Sequence, residues 1–151
     1  MSKDQTTDFL KVVKPFSKET IDLVLWLRGL AWGWCPDANE LIYDNYNAVA
    51  IGWSLTDRQT HAICTIAIYR TNQNIHFGFY WGSSLGDPDG ILLGNGTQYR
   101  YVLVKDKKTF PKGYITKLVQ EAHVVALSKI KDPRQVIHGK TILKMVSEKK
   151  R

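Results

Sequence analysis

Five β-rich segments follow one another in the middle of the chain, and this series limits the possible folds more than any other feature. Residues 46–55 alternate large apolar side chains with small ones, a period of two that is typical of a strand with one buried face. Because strands joined by short turns pair with their neighbours, we expect these strands to be antiparallel. The five predicted strands are residues 40–44, 46–55, 61–70, 75–81 and 98–104.

Helical patterns flank this series on both sides. A short one covers residues 9–13, and Ser17 then suits the N-cap of a longer helix that ends at Cys35-Pro36. Pro111 suits the first turn of a further helix, whose apolar residues keep a helical spacing up to Ala126. The sequence therefore predicts an α+β fold, a two-layer sandwich in which the N- and C-terminal helices cover one face of a five-stranded, mainly antiparallel sheet.

The positive charge is concentrated at the C-terminal end of the chain. The net charge is +7, and Lys129–Arg151 alone holds eight basic and two acidic side chains. We therefore predict one nearly neutral domain over residues 1–131 and a basic tail over residues 132–151. Basic side chains without aromatic neighbours allow weak, nonspecific contact with nucleic acid. The alternative is a solvated segment or a docked helix.

Two features concern the cellular location. The N-terminal residues MSKDQTTDF are polar and lack the apolar run of a signal peptide, and the apolar stretch LVLWL at 23–27 is too short to span a bilayer. Cys35 and Cys64 form no motif, and we interpret them as reduced thiols rather than as a disulfide. The sequence thus favours a cytoplasmic protein that does not insert into a membrane.

The segment GSSLGDPDGILLGNG, residues 82–96, holds five of the 11 glycines of the chain. It lacks the Lys-Ser or Lys-Thr of a P-loop, the third glycine of a dinucleotide-binding fingerprint and the late glutamate of a calcium loop. Its aspartates and proline suit one tight turn, and Asn95-Gly96 suits a second turn at positive φ. We therefore interpret the following as turn residues: Asp87, Pro88, Asp89, Gly90, Gly94 and Gly96.

Three segments together resemble the YdhG-like family of bacterial domains of unknown function: PDANELIYDNYNAVAIGW (36–53), NIHFGFYWG (74–82) and LGDPDGILLGNGTQYRYVLV (85–104). The resemblance covers roughly residues 15–127, and it departs from the family at Asn45-Tyr46 and in the basic tail. It implies the same α+β fold and no particular reaction. Some members are described as frataxin-like iron chaperones, so the resemblance also implies intracellular iron binding as an alternative function, although a shared fold does not fix function.

The side of the predicted sheet opposite the core holds the main candidates for a binding site. Ala50 and Gly52 leave room above the second strand, and if Tyr99 and Tyr101 point to the core, Arg100 joins this side. We therefore predict a site for a small anionic ligand or a protein partner. The alternative is an ordinary solvent-facing sheet surface. The predicted binding residues are Tyr46, Ala50, Gly52, His76, Tyr80 and Arg100.

Metal and catalytic motifs are sparse. The chain lacks His-x-x-x-His, Cys-x-x-Cys and Glu-x-x-His spacings, so no cofactor is predicted. Under the iron alternative, Asp22, Glu40 and Asp44 would supply oxygen ligands. Ser83-Ser84 does not lie in a Gly-x-Ser-x-Gly elbow, and neither cysteine has a recognisable histidine partner. The sequence favours a noncatalytic binding domain and leaves an enzyme with a dispersed site as a weaker alternative.

Overall fold

The computed structural model describes residues 6–151; the first five residues of the polar N-terminal segment lie outside this range. Its α-helices are α1 (Thr6–Val13), α2 (Lys18–Trp34) and α3 (Lys112–Lys129). Its strands are β1 (Asn39–Asp44), β2 (Ala48–Ser54), β3 (Ala62–Tyr69), β4 (Ile75–Phe79), β5 (Arg100–Val104) and β6 (Thr141–Val146). Within residues 6–151, no helix combines the length and the apolar character needed to cross a bilayer.

The strands form one sheet in the order β5-β4-β3-β2-β1-β6. Strands β1 to β5 form four antiparallel pairs in chain order, whereas β6 runs parallel to β1. The α+β class is therefore confirmed. The count of five strands is wrong, because a segment near the C-terminus adds a sixth strand and makes the sheet mixed.

The sixth strand comes from the segment that its composition predicted to be a basic tail. β6 pairs with the edge of β1 that β2 leaves free, and it satisfies backbone groups there. A parallel pair requires a long crossover, which α3 and residues 130–140 provide. After the strand, the backbone N–H of Ser147 donates to the Asp44 carbonyl at 2.8 Å and that of Arg151 to the Tyr46 carbonyl at 3.0 Å. The end of the segment thus follows the sheet.

The core lies between the helices and one face of the sheet. α2 begins where the sequence predicts it, since the Ser17 side chain accepts a hydrogen bond from the backbone N–H of Thr20 at 3.2 Å. The α2 residue Trp34 contacts Phe77 of β4, with ring centroids 5.7 Å apart. Each of the core-facing strand residues Val49, Ile51, Trp53, Ile66, Phe77 and Phe79 is fully buried. The helices thus cover one face of the sheet and leave the other face open.

Two buried carboxylates on β1 connect the sheet to other parts of the chain. Glu40 is fully buried and accepts hydrogen bonds from Arg28 of α2, at 2.6 and 2.9 Å, and from the Thr141 hydroxyl of β6, at 3.0 Å. At the other end of the strand, Asp44 pairs with Arg70, and Lys150 Nζ lies 2.7 Å from its Oδ2. Glu40 is therefore neutralised by one cation, Arg28, and Asp44 by two, Arg70 and Lys150.

Replacing Glu40 by Gln should leave the guanidinium of Arg28 buried without an anion. Removing one partner of a buried ion pair costs about 3–5 kcal/mol, so we expect E40Q to lower the free energy of unfolding by that amount. Urea denaturation at neutral pH measures the change. The control is E148Q at an exposed carboxylate, which we expect to change the free energy by less than about 0.5 kcal/mol. An E40Q variant as stable as the control would contradict the role assigned to Glu40.

Candidate functional site

The face of the sheet that points away from the helices carries small side chains at its centre. Ala50 of β2 lies opposite Ala67 of β3, and Gly52 lies opposite Thr65. A sheet face exposed to water normally carries polar and charged side chains. Here the two central strands instead form a flat, uncharged floor.

Tyrosines surround this floor. Tyr43 comes from β1, Tyr69 from the end of β3, and Tyr80 and Tyr99 from the segments that follow β4 and precede β5. Floor and tyrosines enclose a cavity of about 160 Å³, which we call the sheet-face pocket. A closed cavity of roughly 150 Å³ holds one benzene-sized ring, so this pocket has room for a single small ring. The remaining lining residues are Leu41, Ile51, Gln59, Ala62 and Ile66.

The Tyr99 ring lies directly on Gly78 of β4. A Cβ atom at residue 78 would lie 2.4 Å from the Tyr99 hydroxyl oxygen, so this approach requires a glycine. Gly78 pairs with Thr65, which brings the phenol of Tyr99 to the edge of the floor. Burial raises the pKa of Tyr99 well above its ordinary value. The phenol therefore stays neutral and retains its proton at physiological pH.

His76 lies on the same face but supports the wall of the pocket instead of lining it. Its ring stacks on Tyr101, with centroids 3.8 Å apart and planes within 1°, and its other neighbour is Tyr69 at 4.8 Å. Tyr101 in turn stacks on Tyr99 at 5.7 Å. Burial lowers the pKa of His76, so the imidazole is uncharged at neutral pH. His76, predicted from the sequence as a binding residue, therefore contacts two of the tyrosines and is not among the residues that line the pocket.

Arg100 lies on the opposite side of the sheet from the one predicted from the sequence. The register pairs Arg100 with the buried Phe79, and the alternation of the strand then places Tyr99 and Tyr101 on the open face. The Arg100 Nη1 donates to the carbonyls of Gly96 and Tyr99, both at 2.7 Å. The premise that these tyrosines point to the core was wrong, and Arg100 stabilises a loop instead of facing the pocket.

The other predicted binding residues fall into two groups. Ala50, Gly52 and Tyr80 line the sheet-face pocket. Tyr46 lies in the turn between β1 and β2, outside the pocket lining, and the guanidinium of Arg151 lies 5.5 Å from its ring centroid.

Three lining tyrosines were not predicted from the sequence: Tyr43, Tyr69 and Tyr99. The alternation along β3 could have predicted Tyr69, because residues 65, 67 and 69 lie on the same face of the strand. For Tyr99, the assumption that it points to the core excluded it from the open face.

The predicted iron ligands do not come together. Glu40 and Asp44 are engaged in ion pairs, and Asp22 is exposed on α2. Within residues 6–151, no group of three or more His, Cys, Asp or Glu side chains could hold a metal ion. The iron alternative relied on free carboxylates near one another, and this part of the chain does not provide them.

The glycine-rich segment contains a turn at Asp87–Gly90, in which the Gly90 N–H donates to the Asp87 carbonyl at 3.0 Å. The Asp87 carboxylate accepts hydrogen bonds from the Tyr114 hydroxyl of α3 and from the N–H groups of Ile91 and Leu92. The Asp89 N–H donates to the Tyr114 oxygen at 3.1 Å.

The second predicted turn differs from the prediction in one respect: the residue with positive φ is Gly94, at 120°, and not Gly96. The loop residues Pro88 and Asp89 are exposed and outside the pocket lining.

Comparison of the chain with family models, with curated proteins and with solved structures found no match. The resemblance to the YdhG-like family therefore stays a prediction. A function for this chain has to be inferred from the geometry of the open sheet face.

Replacing Gly78 by Ala should push the Tyr99 ring away from the floor. Overpacking costs about 1–3 kcal/mol, so we expect G78A to lower the free energy of unfolding by this amount. In a Y99A background the same change should cost less than about 0.5 kcal/mol, which a double-mutant cycle in urea measures. G113A in α3, where a Cβ meets no atom within 4 Å, is the control and should be neutral or stabilising. Equal costs in both backgrounds would contradict the Gly78–Tyr99 contact.

Replacing Asp87 by Asn should destabilise the protein in a pH-dependent way. Burial alone would raise the pKa of Asp87, but its hydrogen bonds from Tyr114 and from backbone N–H groups outweigh burial, and its pKa lies below the ordinary value. The ionised carboxylate of Asp87 therefore contributes fully to the free energy of unfolding above the ordinary aspartate pKa of about 3.9. This contribution is lost as the pH falls through the lower pKa of Asp87 in the folded state.

The stability difference between wild type and D87N should therefore be largest at neutral pH and shrink in acid. Unfolding free energies across this pH range measure it. D89N, at an exposed neighbouring carboxylate, is the control and should differ little from wild type throughout. A D87N difference that does not change with pH would show that the charge of Asp87 is not what stabilises the loop.

Proposed function

We propose that this chain is a noncatalytic, cytoplasmic binding domain of the YdhG-like type, and that the sheet-face pocket binds one small, uncharged ring. The observation that carries the proposal is the lining of the pocket. Small side chains form its floor, four tyrosines form its walls, and none of its lining residues is charged. An apolar cavity with a few polar groups at its edge is the usual form of a small-molecule site.

The ionisation of the tyrosines and His76 favours a neutral ligand over the anion predicted from the sequence. Burial, and then the nearby carboxylate of Asp57, raises the pKa of Tyr43, and burial raises that of Tyr99. Both phenols are therefore protonated at neutral pH, and the imidazole of His76 behind them is uncharged. An anion would lose its hydration in this pocket, and none of the lining residues supplies a cation to offset that loss. The expectation of an anion depended on Arg100, which binds loop carbonyls instead.

The polar groups of the pocket suit a ring that carries hydrogen-bonding substituents. Phenol hydroxyls both donate and accept, and the amide of Gln59 adds a donor and an acceptor at the rim. Aromatic walls also favour stacked or edge-to-face contact with a planar ring. The ligand class is therefore a single six-membered ring with hydroxyl, carbonyl or amide groups, such as a phenol or a pyrimidine base.

A titration of the isotope-labelled protein with phenol, uracil and benzoate, followed by amide chemical shifts, tests this proposal. Neutral probes of this size should bind with a Kd of about 0.1–1 mM. Their shifts should concentrate at the floor residues Ala50, Gly52, Thr65 and Ala67. Benzoate should bind about fivefold more weakly or worse, because no cation lines the pocket to compensate for the lost hydration of its carboxylate.

Two variants locate the binding. A50L fills the pocket from its half-buried floor and should abolish the shifts. Y101F removes a phenol hydroxyl from the same face but outside the pocket lining, and it should leave the Kd within about twofold of wild type. The proposal fails if no neutral probe causes shifts at the floor up to about 10 mM, or if A50L binds like wild type.

A further inference from the structure

A second concave surface lies at the C-terminal end of α3. It is a cleft of about 420 Å³. One wall comes from residues 58–61, which precede β3, and the others come from Trp81 and from residues 129–135 at the end of α3 and just after it. We call it the basic cleft, after its cations Arg58, Lys129 and Lys131. It shares no lining residue with the sheet-face pocket, so a role for the cleft is independent of the function proposed for that pocket.

The charge of the cleft is unbalanced. Its one acidic residue, Asp132, is neutralised by Arg134, which donates from Nε at 3.1 Å and from Nη2 at 3.0 Å. Arg58, Lys129 and Lys131 take part in none of the ion pairs formed within residues 6–151. The C-terminal dipole of α3 opposes an anion, but it amounts to about half a negative charge, against three full positive charges. The cleft therefore keeps a net positive charge.

Two of the cleft residues are fixed in place. Trp81 Nε1 donates to the Thr60 carbonyl at 2.8 Å, which orients the indole, and Lys129 Nζ lies over that ring at 4.2 Å from its centroid. On the other side, His61 is buried and its Nδ1 lies 2.7 Å from the Thr56 hydroxyl.

The Thr56 hydroxyl connects His61 to the segment that carries Arg58. Its oxygen accepts a hydrogen bond from the Arg58 N–H at 3.0 Å and lies 2.7 Å from His61 Nδ1. His61 lines the cleft together with the three cations.

We propose that the basic cleft binds the phosphate group of a small molecule. A guanidinium fork and two ammonium groups match a group that carries more than one negative charge and several acceptor oxygens. A carboxylate has one charge and two oxygens, so it would bind only some of these three cations. A nucleic-acid strand usually needs aromatic faces on which bases stack, and here Lys129 covers the face of Trp81. The structure therefore favours a small phosphate compound.

Titrations with inorganic phosphate, pyrophosphate, glycerol phosphate and acetate at low salt test the proposal, with the indole N–H signal of Trp81 as the reporter. Pyrophosphate should bind about tenfold more tightly than acetate, because it presents more charge to the cleft. Comparison of glycerol phosphate with inorganic phosphate distinguishes an ester ligand from the free ion, and tighter binding of either one supports the proposal.

Variants that remove one cation identify the site. R58A and K131A should each weaken pyrophosphate binding by about fivefold or more, since each loses a charge-assisted hydrogen bond. K117A removes an exposed lysine of α3 that does not line the cleft, and this variant should bind pyrophosphate like wild type. The substituted residues are exposed, so thermal unfolding should be unchanged.

Three results would overturn the proposal. The first is equal affinity for acetate and pyrophosphate, and the second is unchanged binding in both R58A and K131A. The third is a single-stranded oligonucleotide that binds through Arg58 and Lys131 about tenfold more tightly than pyrophosphate, because the cleft would then serve a nucleic-acid backbone.

Discussion

The buried ion pair between Glu40 and Arg28 connects parts of the chain that are far apart in sequence. A carboxylate without water needs a cation and further hydrogen bonds, and Glu40 obtains them from α2 and from Thr141 of β6. The guanidinium of Arg28 also lies over the ring of Phe9 in α1, 4.6 Å from its centroid. One charged group thus fixes two helices and the C-terminal strand relative to β1.

This arrangement also determines which side of the sheet stays open. On β1, the carboxylates of Glu40 and Asp44 lie on the side that the helices cover, whereas Leu41 and Tyr43 line the sheet-face pocket on the other side. Strand alternation therefore separates the buried charges of β1 from the uncharged lining of the sheet-face pocket. Because the helices lie on the charged side of β1, they leave the tyrosine-lined side accessible.

The sequence predicts local features of this molecule better than long-range ones. The N-cap at Ser17, the antiparallel series of strands and the small residues at 50 and 52 depend on neighbouring residues, and the structure contains each of them. The orientation of Arg100 was not predictable in this way, because β5 carries large apolar or aromatic side chains on both faces. β6 and the burial of Glu40 depend on a pairing between residues about 100 positions apart, as Glu40 and Thr141 are.

The positive charge of the C-terminal segment also has a more specific role than its composition indicates. Lys150 pairs with the buried carboxylate of Asp44, so part of this charge stabilises the fold, whereas Arg134 pairs with Asp132 at the surface. Lys129 and Lys131 line a cleft of defined shape together with Arg58, and their charges are not balanced by acidic side chains there. A cation on a folded element loses less conformational freedom when an anion binds than one on an extended chain does. Under the proposal above, the basic cleft would take one localised anion, and this role does not extend to the tail as a whole.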